Sequence, residues 1–125
     1  MRVLYVEDDR INVLLFEETL KLHGGGHELR IAEDAAQALQ IAQAWQPDVL
    51  VIDAHLPDAH GIELLLRLRA LPGCAATPAF MCSADAQPED VAAARAAGFT
   101  GYWTKPIDID RIGADLAALD IPARR

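Results

Sequence analysis

"VLVIDAHLP", residues 49–57, runs four apolar residues straight into Asp53 and turns at Pro57. An unbroken apolar run of this length fits a strand covered on both faces. A carboxylate at the end of such a strand is costly to bury unless it finds a cation, a hydrogen-bonding partner or a covalent fate. The rest of the chain has to supply one of these.

Four further apolar runs read as strands: "RVLYV" (2–6), "ELRIA" (28–32), "AFMC" (79–82) and "GYW" (101–103). Helical patterns separate them. Residues 10–22 are apolar around much of the circumference, with Ile11, Leu15 and Leu22 on one side and Phe16 and Leu20 close by. Asp34 is placed to cap a helix in which Ala35, Ala38, Leu39 and Ala42 recur at i, i+3, i+4 and i+7, and Pro47 ends it. A third helix is expected from about Gly61 to Leu71. A fourth opens on Pro88-Glu89-Asp90, a proline suited to a first turn followed by acids that suit the positive helix end, and closes at Gly98. The last starts near Asp108, with Ile109, Ile112, Leu116 and Leu119 on one face. Five strands alternating with five helices predict an α/β, doubly wound parallel sheet with helices on both faces.

With 125 residues, 52% hydrophobic and 24% charged, the chain has the size of one ordinary globular domain. We expect a single domain over 1–125, with its core in about 2–119 and a short basic tail at 120–125. A net charge of −8 argues against a nucleic-acid backbone binder, and no apolar stretch approaches the ~20 residues that cross a bilayer. A cytoplasmic location, with no direct nucleic-acid or membrane partner, is the expectation. Cys74 and Cys82 fit no metal-ligand spacing and read as reduced structural thiols; His23 and His27, astride a glycine run, do not form a helical metal pair. Trp45 and Trp103 read as packing residues.

In doubly wound sheets ligands bind beyond the carboxyl ends of the strands. There the sequence puts Glu7, Asp8 and Asp9 after the first strand, Asp53 after the third, Ser83 after the fourth and Lys105-Pro106 after the fifth. Clustered carboxylates repel, and Mg²⁺ relieves that repulsion with one or two of them plus phosphate oxygens.

The motifs "YVEDD", "VIDAHLPDAHG", "MCSADA" and "GYWTKPI", in this order and spacing, closely resemble those of response-regulator receiver domains, the phospho-accepting modules of two-component signalling. The similarity covers essentially the whole chain. Asn12 within "VEDDRINVLLFEE" gives it the look of receivers attached to hybrid histidine kinases or of stand-alone receivers. The resemblance implies a flavodoxin-like (βα)5 fold of strand order 2-1-3-4-5. It implies that Asp53 is phosphorylated by a histidine kinase or histidine phosphotransfer domain, and that the protein is a switch that catalyses its own phosphotransfer and autodephosphorylation, not a conventional enzyme. Glu7, Asp8, Asp53 and the backbone carbonyl of His55 would hold Mg²⁺, with Mn²⁺ as a substitute. Lys105 would pair with the phosphoryl group, Ser83 would bond it, and Tyr102 would turn inward in response, altering the surface of the fourth helix, fifth strand and fifth helix for a downstream protein. His55 and Asp85 stand two residues after Asp53 and Ser83, where the family tunes phosphate lifetime. The alternative is a receiver-like interaction module that phosphorylation does not regulate. A flavin-binding module would need a Ser-, Thr- or Gly-rich phosphate loop after the first strand, which is triply acidic here. A phosphatase of the haloacid-dehalogenase type would need its aspartyl nucleophile on that same strand within a DxD-like pattern, which "VEDD" does not supply with the right flanks.

Overall fold

The computed structural model describes residues 1–23, 26–85 and 87–119. In it, β1 (Arg2–Val6), α1 (Arg10–Leu22), β2 (Glu28–Ala32), α2 (Ala35–Trp45), β3 (Val49–Asp53), α3 (Gly61–Arg69), β4 (Ala79–Ser83), α4 (Pro88–Ala97), β5 (Gly101–Thr104) and α5 (Ile109–Ala117) alternate as expected. A short 3-10 turn, Pro72–Cys74, lies between α3 and β4. The five strands are parallel, in the order β2-β1-β3-β4-β5. The expected basic tail falls at 120–125, outside the described residues.

Strand periodicity divides the core between the two faces of the sheet. Leu4, Val6, Leu50, Ile52 and Met81 pack toward α2, α3 and α4 with Ala38, Leu64 and Ala94. Val3, Tyr5, Val51, Phe80 and Trp103 pack toward α1 and α5 with Phe16, Ile112 and Leu116. Trp103 stacks on Phe80 at 4.4 Å, and its Nε1 donates to Asp115 at 2.7 Å, so its packing role holds. Trp45 is buried beneath the guanidinium groups of Arg2 and Arg30. Cys74 and Cys82 are buried free thiols, and burial pushes both above the ordinary thiol range.

The helix ends follow their sequence signals. Asp9, Asp34 and Asp108 cap α1, α2 and α5, and Gly98 ends α4 at φ +110°. The face of α1 differs from expectation. Phe16, Thr19 and Leu20 are buried, whereas Ile11, Leu14, Leu15 and Leu22 are 44–70% exposed. A helix apolar on most sides cannot bury all of them against one sheet face, and here the bulkiest side chain, Phe16, takes the core. Ile109 at the start of α5 is likewise exposed, while Ile112 and Leu116 are buried. Helix α3 stops at Arg69, short of the expected Leu71, because the chain tightens into the 3-10 turn.

Candidate functional site

Parallel pairing brings every strand's carboxyl end to one rim. Asp53 stands opposite Cys82 and Ser83 opposite Thr104, so β3 and β4 each run one residue further than expected and carry a polar side chain as the last strand residue. Glu7 N–H donates to Ala32 O at 2.9 Å and Lys105 N–H to Ser83 O at 2.8 Å, extending the ladders to the neighbouring site residues. Glu7, Asp53 and Ser83 are buried to within 6% exposure.

On the β1 side the site is a compact charge cluster. Carboxylate oxygens of Glu7, Asp8 and Asp53 all lie within 4.8 Å of one another. Lys105 Nζ donates to Glu7 Oε1 at 2.6 Å and stands 3.4 Å from Asp53 Oδ1. Tyr5 Oη donates to the same Glu7 oxygen at 3.2 Å. Glu7 Oε2, by contrast, is buried with no hydrogen-bond partner. Burial, with the adjacent Asp53 carboxylate, raises Glu7 above the ordinary carboxyl range, and Lys105 only partly offsets this. Burial pulls the Lys105 ammonium down, but its hydrogen bond to Glu7 and the charge of Asp53 outweigh that and leave it raised. An orphaned buried oxygen beside two further carboxylates suits a hard, oxygen-seeking divalent cation. The residues present therefore fit Mg²⁺ or Mn²⁺.

On the β4 side the site is a set of hydrogen-bonded loops. Asp85 is its hub. Its N–H donates to Ser83 Oγ at 3.0 Å, its carbonyl accepts from Tyr102 Oη, and its carboxylate meets His55 Nε2 at 2.8 Å. The His55 and Asp85 side chains are both more than half exposed. His55 N–H points at Asp53 Oδ1 across 3.4 Å, and the His55 and His60 rings meet edge to face. A cavity of about 140 Å³ between the two loops is lined by residues including Ser83, Asp85 and Tyr102.

The structure thus brings Glu7, Asp8, Asp53, Ser83, Lys105, His55, Asp85 and Tyr102 to one rim. Asp9 stands apart as the α1 cap, accepting from the Ile11 and Asn12 amides. Tyr102 is turned inward, 5% exposed, with its hydroxyl on the Asp85 carbonyl. Two contributors escaped the sequence reading. Tyr5 reads as a plain strand aromatic, and its hydroxyl's reach to Glu7 could be anticipated only from its spacing two residues away on β1. His60 caps α3 by accepting from Ile62 N–H at 3.1 Å, a role usually filled by Ser, Thr, Asp or Asn.

Comparison with known proteins agrees with this fold. A family model described as response regulator receiver domain matches residues 3–117. The two-component response regulator ORR41 of Oryza sativa is 34% identical over 94% of this chain and 92% of its own length. The sensory/regulatory protein RpfC of Xanthomonas campestris is 28% identical over the whole chain, which spans only 17% of that longer protein. Among solved structures, the chemotaxis protein CheY4 of Vibrio cholerae superposes with a TM-score of 0.84 at 28% identity, covering 93% of this chain and 95% of CheY4. A response regulator from Chloroflexus aurantiacus reaches 0.85 at 29% identity, covering 92% and 93%.

Proposed function

Because the chain belongs to the response regulator receiver domain family, we propose that Asp53 accepts a phosphoryl group from a histidine kinase or histidine phosphotransfer domain in a two-component or phosphorelay pathway. The observation that carries this reading is the buried cluster of Glu7, Asp8 and Asp53 carboxylates with Lys105 against it. A carboxylate oxygen of Asp53 attacks phosphorus as the donor's N–P bond breaks, and water later cleaves the acyl phosphate to restore the carboxylate.

The chain's own groups orient that exchange. Glu7, Asp8, Asp53 and the His55 carbonyl would hold Mg²⁺, which when bound supplies neutralisation of the charge gathering on phosphoryl oxygens. Lys105 offers a compact positive charge to one oxygen. Ser83 Oγ already accepts from the Asp85 amide, so its hydroxyl proton is free to bond another. His55 and Asp85 close over the opening together and set how readily water enters, and hence the lifetime of the phosphoryl group.

The donor needs a docking surface beside this rim. Ile11, Leu14 and Leu15 present apolar side chains on the first turns of α1, directly after the acidic loop. They are the face we assign to the donor's histidine-bearing domain. The output face is that of α4, β5 and α5. Phosphorylation adds about −1.5 to −2 charges at neutral pH, drawing Ser83 and the following loop inward. The inward Tyr102, with its hydroxyl on the Asp85 carbonyl, is the arrangement that the phosphoryl group would favour.

The reading is tested by incubation with acetyl phosphate and Mg²⁺, followed by borohydride trapping of the acyl phosphate. Conversion of residue 53 to homoserine is the expected result. Trapping at another residue, or none at all, overturns it.

A further inference from the structure

We propose that Asp58 is a positioning residue for the phosphorylation site, anchoring the hairpin that follows Asp53 to the N-terminus of α2. The proposal deepens the function proposed above, since the hairpin carries the His55 carbonyl assigned to the metal.

Residues 54–61 form a small closed hairpin. Gly61 N–H donates to Ala54 O at 2.9 Å, Leu56 N–H donates to Ala59 O at 3.1 Å, and His55 faces His60 in an antiparallel bridge. Its base is fixed by close packing. A Cβ on Gly61 would stand 2.8 Å from the Asp53 carbonyl oxygen, so only glycine lets the returning chain lie against the end of β3. Its tip, Pro57 and Asp58, is exposed.

Asp58 ties that tip down. One carboxylate oxygen accepts from Ala35 N–H at 2.8 Å and the other from Ala36 N–H at 3.1 Å, the first two amides of α2. These hydrogen bonds hold the Asp58 carboxyl below the ordinary range even though the side chain is exposed, as a carboxylate at a positive helix end should be. The helix has its own cap besides: Asp34 accepts from Gln37 N–H at 2.8 Å. Two aspartates therefore serve the same helix end, and only Asp58, among the described residues, also reaches it from the hairpin. Its bonds bridge 22 and 23 residues of sequence, whereas those of Asp34 stay within the turn.

This duplication gives a matched pair of variants. Asp58→Ala and Asp34→Ala each remove a cap from α2, but only the first releases the hairpin. Amide hydrogen exchange at Leu56 and Gly61 should accelerate roughly three- to tenfold in Asp58→Ala and stay near wild type in Asp34→Ala. Asp58→Asn, which keeps one acceptor oxygen, should fall between. Direct titration with Mn²⁺ should show weaker binding by a similar factor in Asp58→Ala alone, as expected when a ligand's support is lost. Equal exchange at Leu56 and Gly61 in the two alanine variants overturns the proposal, as does faster exchange with unchanged Mn²⁺ affinity. Wild-type protein that binds no Mn²⁺ would instead contradict the metal assignment under the proposed function, and the exchange contrast would still decide whether Asp58 anchors the hairpin.

Discussion

The two sides of Asp53 are built from different materials. On one stand Glu7 and Lys105, which follow directly on the ends of β1 and β5 and meet as a largely buried ion pair at 2.6 Å. On the other stand His55 and Asp85, joined at 2.8 Å but more than half exposed and carried on the loops after β3 and β4. The same kind of contact is worth different amounts in the two places. A buried charge left without its partner costs several kcal/mol, while an exposed pair contributes about 0–1 kcal/mol. The buried side is thus suited to chemistry, and the exposed side to adjusting how long its product lasts.

Breaking the buried side should have the largest effect. Lys105→Ala removes the positive charge nearest Asp53 and should slow phosphorylation by a small-molecule donor by about 10²-fold, as loss of one preorganised electrostatic partner commonly does. A rate within twofold of wild type would place the essential charge elsewhere.

Glu7→Gln sharpens the comparison in the opposite direction. The carboxyl is raised when folded, so its favourable contribution is present below its ordinary unfolded value of about 4.5 and is lost as pH rises through the higher folded value. Because Lys105 keeps Asp53 as a partner at 3.4 Å, the metal-free variant should be more stable than wild type at neutral pH, on the order of 1 kcal/mol, with a flatter pH profile, while divalent-cation binding is lost. Thermal melts at several pH values with a chelator, alongside a Mn²⁺ titration, measure both.

His55→Ala and Asp85→Ala should change the acyl phosphate half-life by roughly two- to tenfold and leave stability within about 1 kcal/mol of wild type, because the pair is exposed. Unchanged half-lives in both variants would remove the loop side from the chemistry. The smallest structural effect is expected at the exposed apolar face of α1. Ile11→Ser should alter stability by no more than about 0.5 kcal/mol, yet slow transfer from a protein donor without slowing a small-molecule donor. Equal slowing with both donors would relocate the docking face.

The same division explains what the sequence discloses. Strand runs followed by Glu7-Asp8, Asp53, Ser83 and Lys105 predict both the parallel sheet and the buried half of the site, because a strand's last residue must lie at its carboxyl end. The loop half is set by tertiary contacts that no local pattern encodes. The inward Tyr102 depends on where the Asp85 carbonyl points, and the Asp58 anchor spans more than twenty residues. The outward Ile11 and Leu15 escaped for another reason. On a helix apolar around most of its surface, periodicity does not choose the buried face; competition among side chains for the same sheet does.

The most direct test of the central claim is intact mass after incubation with Mg²⁺ and a small phosphodonor. The account predicts a gain of one phosphoryl group in the wild-type protein, and none in Asp53→Ala or in the presence of a chelator. No gain in the wild type, or an equal gain in Asp53→Ala, would contradict it.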